Sequence, residues 1–385
     1  MRIAIMAWGG AEFPGVWNYY LNMARVLASY SPDAQLCMFY PSDLPADRRR
    51  EVQETTGEPG AELPVPSRRT DIIALAGLYD RDFARRFNAS GIDVVFEQAK
   101  FLGRRFPLPI LPWIGDLQHR ALPEYFTRLH RVQRNVGFRS QVRFRRHVVV
   151  SSEAARHDLL EFIRRPRAKM HVVPFAVHMT TNVSQQGIID VRAKYGLSNP
   201  YLFLPNQLWR HKNHAAAFRA LAALAGRGRP RILALSGPRY DYRHPEYSDQ
   251  LALLVDQLGI DEHLRWLGTV PYDDLLHLVG GAEVLINPSF FEGWSTTVEE
   301  AKTLATPMAL SALAVHIEQA VGRASFFDPN DPIAMADAVE EAAERAPTDR
   351  VGARRNAAAL NVEDQRLYAE RLRSALEAAI ADHGR

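Results

Sequence analysis

The chain is poor in cysteine and has no long apolar run. Its 385 residues include one cysteine, Cys37, which excludes an internal disulfide and a metal site built from cysteines. Cys37 lies in a short apolar run, so we interpret it as a buried strand residue and not as a nucleophile. No apolar stretch approaches the roughly 18 residues needed to span a bilayer. The N-terminal apolar run, residues 3–8, is too short for a secretory signal, and we expect a cytoplasmic protein.

Other absent features further limit the kind of protein that this chain can be. The composition is 47% hydrophobic and 24% charged, which excludes a disordered, collagen-like or fibrous protein. No Gly-x-Gly-x-x-Gly pattern follows a predicted strand, and this disfavours a nicotinamide or flavin dehydrogenase. At roughly 150 residues per domain, the length corresponds to two or three domains.

The small net charge of +3 conceals an uneven distribution. Residues 1–178 carry 26 Lys/Arg and 18 Asp/Glu, a net charge of +8. Residues 179–385 carry 21 and 26, a net charge of −5. Halves of opposite sign indicate two domains that face different partners.

Short β-rich apolar runs alternate with stretches of helical periodicity along the chain. The first series of predicted strands covers residues 3–7, 35–40, 72–78, 94–97, 110–114 and 147–151. The second series covers residues 201–204, 232–236, 264–267, 284–287 and 308–311. Such alternation predicts parallel sheets that helices cover on both faces.

We therefore predict an α/β protein of two doubly wound, Rossmann-like domains facing each other across a cleft, where ligands usually bind. The N-terminal domain is predicted over residues 1–178 and the C-terminal domain over 200–362. The polar stretch 179–199 is predicted to be the linker. Residues 363–385 are predicted to form a helix that packs on either domain.

Residues 287–302 combine a strand end, a loop and a helix start. The backbone N–H groups of Gly293, Trp294 and Ser295 would point out of that helix start and, with the helix dipole, bind an anion such as a phosphate. The simpler alternative is a capping box of Thr296 and Glu299, which leaves the acid at position 292 unexplained.

This stretch resembles the Glu-x7-Glu signature of family 4 glycosyltransferases, a retaining family with the GT-B fold. The two acids are Glu292 and Glu300. Residues 205–214, 306–311, 316–319 and 327–332 resemble further family segments in the same order. The chain is most similar to a branch that acts in bacterial O-antigen and exopolysaccharide assembly. The resemblance is specific over residues 201–345 and looser over 1–178.

The resemblance implies how a nucleotide-sugar donor would be held. Glu292 would contact hydroxyls of the transferred sugar, Glu300 would hold the ribose, and Lys212 would neutralise the diphosphate. Where the family usually has an arginine this chain has Gln207, for which Arg210 is a candidate replacement. The donor-binding residues at the helix start are Gly293, Trp294, Ser295 and Thr296.

Two N-terminal segments are candidates for the acceptor side. Gly9 and Gly10 could approach a phosphate or an acceptor sugar, or form an ordinary strand-to-helix turn. Residues 113–119 resemble a catalytic His-Asp-type segment of the family, which makes Asp116 and His119 candidates. The alternative is that both are cap or surface groups.

The resemblance implies transfer with retention of the anomeric configuration. The nucleoside diphosphate would leave and the acceptor attack on the same face, while Lys212 and the helix start stabilise the leaving charge. Glu292, Lys212, Asp116 and His119 are the catalytic candidates. We find no second acid placed as a nucleophile.

The expected donor is a nucleotide sugar, with no further cofactor. A GDP-sugar is favoured, a dTDP- or UDP-sugar is the alternative, and the sugar is a hexose or deoxyhexose of mannose or rhamnose type. Residues 80–82 have the Asp-x-Asp form of metal sites in the GT-A fold, but aspartate is also common at helix starts, so we assign no metal.

Residues 101–170 hold 15 Lys/Arg and five acids, a net charge of +10, densest over 128–146. One interpretation is a helix on the anionic inner surface of the cytoplasmic membrane, near a glycan or polyprenyl-diphosphate-linked acceptor. A second is a positive wall that attracts the anionic substrates. A third is a solvated face whose stripe of Leu129, Val132 and Val136 packs on the sheet.

Other functions stay open. Nucleic acid binding is disfavoured because no recognised module is present. A phosphorylase or sugar-phosphate synthase of the same fold is one alternative. A non-catalytic subunit that binds sugar nucleotides or glycans is another, and the departure at Gln207 keeps it open.

Overall fold

The computed structural model describes residues 1–7, 14–64, 74, 76, 78–98, 100–197 and 200–383. Gly9 and Gly10, and most of the strand predicted at 72–78, lie outside the described residues. The chain forms two compact units. The first consists of Met1–Leu117, Thr127–His178 and Glu363–Arg385, and the second of Gln118–Phe126 and Met179–Val362.

Each unit is built on a parallel sheet. The strands of the first are β1 (Arg2–Met6), β2 (Gln35–Tyr40), β3 (Ala61–Glu62), β4 (Val94–Gln98), β5 (Ile110–Ile114), β6 (His147–Val150) and β7 (Lys169–Val172). They lie in the order β3-β2-β1-β4-β5-β6-β7. The strands of the second are β8 (Tyr201–Leu204), β9 (Ile232–Ser236), β10 (Leu264–Gly268), β11 (Val284–Asn287), β12 (Met308–Ser311) and β13 (Ala324–Phe327). They lie in the order β10-β9-β8-β11-β12-β13.

The helices, in chain order, are α1 (Pro14–Tyr30), α2 (Ala46–Thr56), α3 (Arg81–Ala89), α4 (Gln118–Ala121), α5 (Arg128–Phe144), α6 (Glu153–Phe162), α7 (Gln185–Lys194), α8 (His214–Gly226), α9 (Tyr247–Leu258), α10 (Tyr272–Gly281), α11 (Thr296–Thr303), α12 (Ala314–Gln319), α13 (Pro332–Glu344) and α14 (Arg350–Ala381). Short 3-10 turns occur at Pro123–Tyr125, Arg210–Lys212 and Asp261–His263. Within the described ranges, no helix is long and apolar enough to cross a membrane.

Both sheets have the doubly wound order that the alternation of strands and helices predicts. The chain starts in the middle of each sheet, at β1 or β8, winds to one edge and then returns past its start to the other edge. Strands β8, β11 and β12 are buried at every residue, as expected of parallel strands covered on both faces. Ligands of such sheets usually bind where the order reverses, which in the second unit is between β8 and β11.

Strands in the middle of the sheets follow the predicted bounds closely, whereas three edge strands were not predicted. Edge strand β3 has two residues, and β7 is exposed or half-buried along its length. Strand β13 lies at the far edge of the second sheet. Short or partly exposed edge strands have no continuous apolar run, so periodicity gives little indication of them.

The unit boundaries refine the predicted domains. The predicted linker 179–199 contains α7, whose Ile188 and Val191 are buried in a core of the second unit. The stretch Gln118–Phe126, which the prediction placed in the N-terminal domain, belongs to the second unit. The part of α14 from Glu363 onward belongs to the first unit.

Glycine is required where the loop after β9 meets the loop after β8. Gly237 has a φ of +123°, a conformation that side-chain-bearing residues rarely adopt. A Cβ atom on Gly237 would lie 3.0 Å from the backbone nitrogen of Gln207. The close approach of these two loops therefore depends on the missing side chain.

We expect Gly237→Ala to lower the free energy of unfolding by about 3 kcal/mol, since it combines backbone strain with a backbone collision. Gly268→Ala is the matched control, because Gly268 has a φ of +68° but open space around its Cβ position. It should cost only about 1 kcal/mol. Calorimetric unfolding of both variants checks this, and equal losses would contradict the collision.

Candidate functional site

Buried polar side chains collect at the carboxyl ends of the central strands of the second unit. Asn287 ends β11, and its Oδ1 accepts hydrogen bonds from Asn206 Nδ2 (3.4 Å) and from Ser289 Oγ (2.7 Å). Ser311, at the end of β12, donates from Oγ to the backbone oxygen of Ser289 (2.7 Å). These bonds fix the loop that follows β11 to its neighbouring strands.

Lys212 and Glu292 form an ion pair at this edge. Lys212 Nζ lies 2.6 Å from Glu292 Oε1, and the side chains are 17% and 9% exposed. The Ser289 hydroxyl has one proton to share between Asn287 Oδ1 and this carboxylate oxygen, and its Oγ lies 2.7 Å from Glu292 Oε1. Asn213 follows Lys212 and has a left-handed backbone, with a φ of 56°. Its side-chain Nδ2 donates to the backbone oxygens of Pro288 (3.1 Å) and Pro329 (2.8 Å). The structure thus brings together two of the predicted catalytic residues.

The charge state of Glu292 follows from this partner. Burial raises the pKa of Glu292, but the positive charge and hydrogen bond of Lys212 outweigh it and bring the pKa to about 2. Burial lowers the pKa of His211 well below its usual value and also lowers the pKa of His316. Glu292 is therefore a permanent carboxylate near neutral pH and cannot serve as a proton donor.

Glu300 lies eight positions after Glu292, and its pKa is shifted in the opposite direction. It is buried in α11, and burial raises its pKa to about 8, partly offset by a hydrogen bond with Tyr272. Its Oε2 atom has no hydrogen-bond partner among the residues that the structure describes. The carboxyl group therefore carries a proton at neutral pH and can both donate and accept a hydrogen bond.

The start of α11 differs from the capping-box interpretation of the sequence. The N-cap is Ser295, whose side chain makes no capping hydrogen bond. Glu299 pairs with Lys302 Nζ (2.9 Å) and accepts from Gln319 Nε2 (2.8 Å), so the capping box of Thr296 and Glu299 does not form.

The structure also changes the prediction for one of the three backbone N–H groups expected to bind an anion. The backbone N–H of Ser295 donates to Gln319 Oε1 (3.2 Å), a partner 24 positions away in sequence. This amide is engaged within the protein and is not offered to a ligand. Gly293 and Trp294 are half-buried in the loop before the helix.

Gln207 and Arg210 follow β8. Gln207 is half-buried, with its backbone against Gly237. The Arg210 backbone N–H donates to Asp241 Oδ2 (3.1 Å), and its guanidinium lies over the Tyr125 ring at 5.3 Å. The cation that pairs with Glu292 is thus Lys212, while Arg210 is directed to an aromatic ring.

The two other catalytic candidates fall in different units. Asp116 belongs to the first unit, where it pairs with Arg134 at 3.0 Å. His119 belongs to the second, where it is buried with its ring edge-on to Phe126 at 6.3 Å.

The Asp-x-Asp stretch forms a helix start, as the residue preference indicates. Asp80 is the N-cap of α3 and accepts from the backbone N–H groups of Asp82 (2.8 Å) and Phe83 (3.3 Å). Among the described residues, no group of three or more His, Cys, Asp or Glu side chains could hold a metal ion.

The basic stretch of the first unit exposes its apolar stripe. Leu129 and Val132 on α5 are 60% and 58% exposed, and Val136 is also exposed. Phe138 and Val142 are the apolar residues of this helix that are buried. The interpretation in which Leu129, Val132 and Val136 pack on the sheet is therefore wrong.

Residues that sequence reasoning did not select complete the polar network. Gln319 and His316 lie in segment 316–319, for which the sequence indicates only a resemblance to the family. Asn287 and Ser289 have no functional role predicted from the sequence. A buried asparagine at the end of an otherwise apolar strand is the one indication that the sequence carries.

Replacing Glu300 by Gln should change how stability depends on pH. A carboxyl with a raised pKa contributes stability that is fully present below its ordinary value of 4.5 and is lost as pH rises through about 8. The ligand-free Glu300→Gln variant avoids that loss, so its advantage over the wild type should grow from pH 5 to pH 8, to on the order of 2 kcal/mol.

Thermal unfolding across this pH range is the measurement, with the exposed Glu344→Gln as control. An advantage of Glu300→Gln that does not change with pH would show that Glu300 is ionised in the folded protein.

Known proteins are similar to this chain in sequence and in structure. The family model described as Glycosyl transferases group 1 matches residues 190–359. A D-inositol 3-phosphate glycosyltransferase of Kineococcus radiotolerans is 28% identical over 188 residues, 47% of this chain and 42% of the relative. An O-antigen chain mannosyltransferase B of Escherichia coli is 32% identical over 151 residues, 38% of each chain. The matched regions thus span less than half the length of these two relatives.

The fold similarity extends over the whole chain. The crystal structure of Anabaena HepE in complex with UDP and glucose superposes with a TM-score of 0.72 at 15% identity, covering 98% of this chain and 100% of that one. The two doubly wound units are those of the GT-B fold. Residues 190–359 therefore match the glycosyl transferases group 1 family model, and the resemblance to GT-B glycosyltransferases of family 4 is confirmed.

Proposed function

We propose that this protein is a retaining glycosyltransferase. It moves a hexose or deoxyhexose from a nucleoside diphosphate sugar to a lipid-linked or oligosaccharide acceptor in the synthesis of a bacterial surface polysaccharide. The observation that carries the proposal is a pair of acids beside the start of α11: Glu292 in the preceding loop is ion-paired with Lys212, and Glu300 is buried within the helix, where its pKa is raised.

Each acid suits a different part of the donor. The neutral Glu300 carboxyl, whose Oε2 atom has no partner among the described residues, can donate to one ribose hydroxyl and accept from the next. Lys212 supplies the positive charge for the diphosphate, and the first turn of α11 adds the positive end of its dipole. The donor residues of the proposal are Gln207, Arg210, Lys212, Gly293, Trp294, Ser295, Thr296 and Glu300, with Ser295 acting through groups other than its amide.

The proposed chemistry follows from the fixed charges. The bond between the anomeric carbon and the diphosphate oxygen breaks as the bond to the acceptor oxygen forms on the same face. The acceptor hydroxyl gives its proton to the departing phosphate oxygen. Glu292 stabilises the positive charge that develops on the sugar, and Lys212 stabilises the leaving diphosphate. Asp116 and His119 stay as proposed catalytic residues, and Gly9 and Gly10 stay as the proposed acceptor or phosphate loop.

The activities named for similar proteins guide the choice of donor. One relative is an O-antigen mannosyltransferase, and HepE was crystallised with UDP and glucose. We favour a GDP-linked sugar of mannose or rhamnose type, with dTDP- and UDP-sugars as the alternatives. Thermal-shift screening with GDP, UDP, dTDP and ADP sugars discriminates among them, because a ligand at 100 times its dissociation constant adds about 2.7 kcal/mol of stability.

The donor identified in this way allows a direct test of the two acids. Glu292→Gln should lower kcat about a hundredfold, since it removes a charge that acts in the transition state. Glu300→Ala should raise the donor KM about tenfold through loss of the ribose contacts, whereas Glu300→Gln keeps a donor and an acceptor and should stay near the wild type. Glu344→Gln is the surface control.

Turnover at the wild-type rate by both Glu292→Gln and Glu300→Ala would contradict the assignment. Nucleotide binding without transfer to any acceptor would instead favour a non-catalytic subunit. Phosphate-dependent cleavage of a glycan without nucleotide sugar would favour a phosphorylase.

We further propose that α5 attaches the protein to an anionic membrane surface. Its exposed face combines Leu129, Val132 and Val136 with the exposed cations Arg128, Arg139 and Arg143. Apolar side chains flanked by arginines are typical of helices that lie in the interface of an anionic bilayer. Such attachment would hold the enzyme near a lipid-linked acceptor on the inner face of the cytoplasmic membrane.

Flotation with phosphatidylglycerol vesicles tests the membrane proposal. The wild type should float at low salt and dissociate at about 0.5 M salt, where charges are strongly screened. A Leu129→Ser/Val132→Ser variant should float less, while Leu253→Ser, at an exposed leucine of α9, should not differ from the wild type. Failure of the wild type to float at low salt would refute the proposal.

A further inference from the structure

The side chain of Gln319 lies against the backbone at the start of α11. Gln319 is the last residue of α12 and is 4% exposed. Its Oε1 atom accepts from the Ser295 backbone N–H (3.2 Å), and its Nε2 atom donates to the Ser295 backbone oxygen (2.7 Å). Nε2 also donates to Glu299 Oε1 (2.8 Å). One carboxamide therefore binds both polar groups of a single residue and the acid of the next turn.

These partners require an amide side chain. The Ser295 backbone oxygen can only accept, and the Glu299 carboxyl accepts beside the ammonium group of Lys302, so the atom that faces them must donate two hydrogen bonds. The Ser295 N–H can only donate, so the other atom must accept. Glutamate would place an acceptor against two acceptors, and methionine would make none of the three bonds.

Gln319 supplies the Ser295 N–H with the acceptor that the N3 side chain supplies in a capping box. Helix starts usually obtain a capping hydrogen bond from the N-cap side chain, but the Ser295 Oγ makes none and instead accepts from Asn287 Nδ2 (3.2 Å) and lies 3.1 Å from Thr297 Oγ1. The bonds from Gln319 fix the plane of the Ser295 backbone and link it to Glu299, one turn further along. The backbone N–H groups of the first turn of α11 follow Ser295 directly in the chain. Their direction therefore depends on how the Ser295 backbone is held.

We propose that Gln319 is a positioning residue that holds the start of α11 in the orientation that binds the donor diphosphate. This inference rests on the proposed function, because it is the diphosphate of a nucleotide sugar that the helix start would meet. Gln319 itself makes no contact with the substrate in this account. Its effect should appear in the part of the affinity that depends on phosphate.

The test compares two probes on the full-length protein: a nucleoside diphosphate and the same nucleoside without phosphate. The base is the one among G, U, T and A whose diphosphate binds the wild type. Gln319→Met should weaken diphosphate binding about tenfold, the effect of losing buried hydrogen bonds at the site. Nucleoside binding should change less than threefold, because the base and ribose contacts remain. Gln257→Met, at an exposed glutamine of α9, is the control and should match the wild type.

A second variant gives a pH readout and covers the case in which Gln319→Met does not fold. At pH 8 the carboxylate of Gln319→Glu faces the Ser295 oxygen and Glu299, so diphosphate affinity should fall by about tenfold or more. At pH 5 a protonated carboxyl supplies one donor and one acceptor, so the affinity relative to the wild type at the same pH should recover.

The outcomes separate the inference from the proposed function. If the wild type binds the nucleoside diphosphate and Gln319→Met binds it equally well, the inference is overturned and the proposed function stands. Equal weakening of nucleoside and diphosphate binding also overturns it, because that indicates a general loosening of the unit. If the wild type binds none of the four diphosphates, the proposed function itself fails.

Discussion

The ion pair between Lys212 and Glu292 joins the two loops on which the proposed donor site depends. Lys212 stands on the 3-10 turn after β8, and Glu292 on the loop after β11, the strand beside β8 in the sheet. Removing one partner of a buried pair leaves an uncompensated charge, at a cost of roughly 3–5 kcal/mol. The left-handed backbone of Asn213 positions the turn that carries Lys212, and the hydroxyl of Ser289 contacts the carboxylate of Glu292. These contacts fix the two loops to each other at the carboxyl ends of β8 and β11.

Two residues of the same type obtain different chemistry from their surroundings. Glu292 has a lysine at 2.6 Å and remains ionised. In the part of the chain that the structure describes, no cation offsets the burial of Glu300, which raises its pKa to about 8. A fixed anion suits a developing positive charge, and a neutral carboxyl suits a pair of hydroxyl groups. The proposed retaining transfer uses both states and requires no carboxyl to change its proton during the reaction.

The sequence predicted what continuous apolar runs and local spacing encode. Strands β8, β11 and β12 are buried along their length and were located at their bounds, and Lys212 and Glu292 were selected together through the family resemblance. The hydrogen bond from Ser295 to Gln319 links positions 24 apart through two separate helices, and spacing within one helix cannot reveal it. The placement of Gln118–Phe126 in the second unit likewise depends on tertiary contacts, such as Arg210 over the Tyr125 ring.

The affinity of the ligand-free protein for a nucleoside diphosphate without sugar, measured by titration calorimetry, tests the central claim most directly. The measurement compares the wild type with Lys212→Met and Glu292→Gln. If Lys212 serves the diphosphate and Glu292 the sugar, Lys212→Met should bind at least tenfold more weakly, since a charge-assisted contact of roughly 1.5–3 kcal/mol is lost. Glu292→Gln should bind as well as the wild type or better, because it frees the lysine from its partner. Equal loss of diphosphate affinity in the two variants would contradict this division of roles.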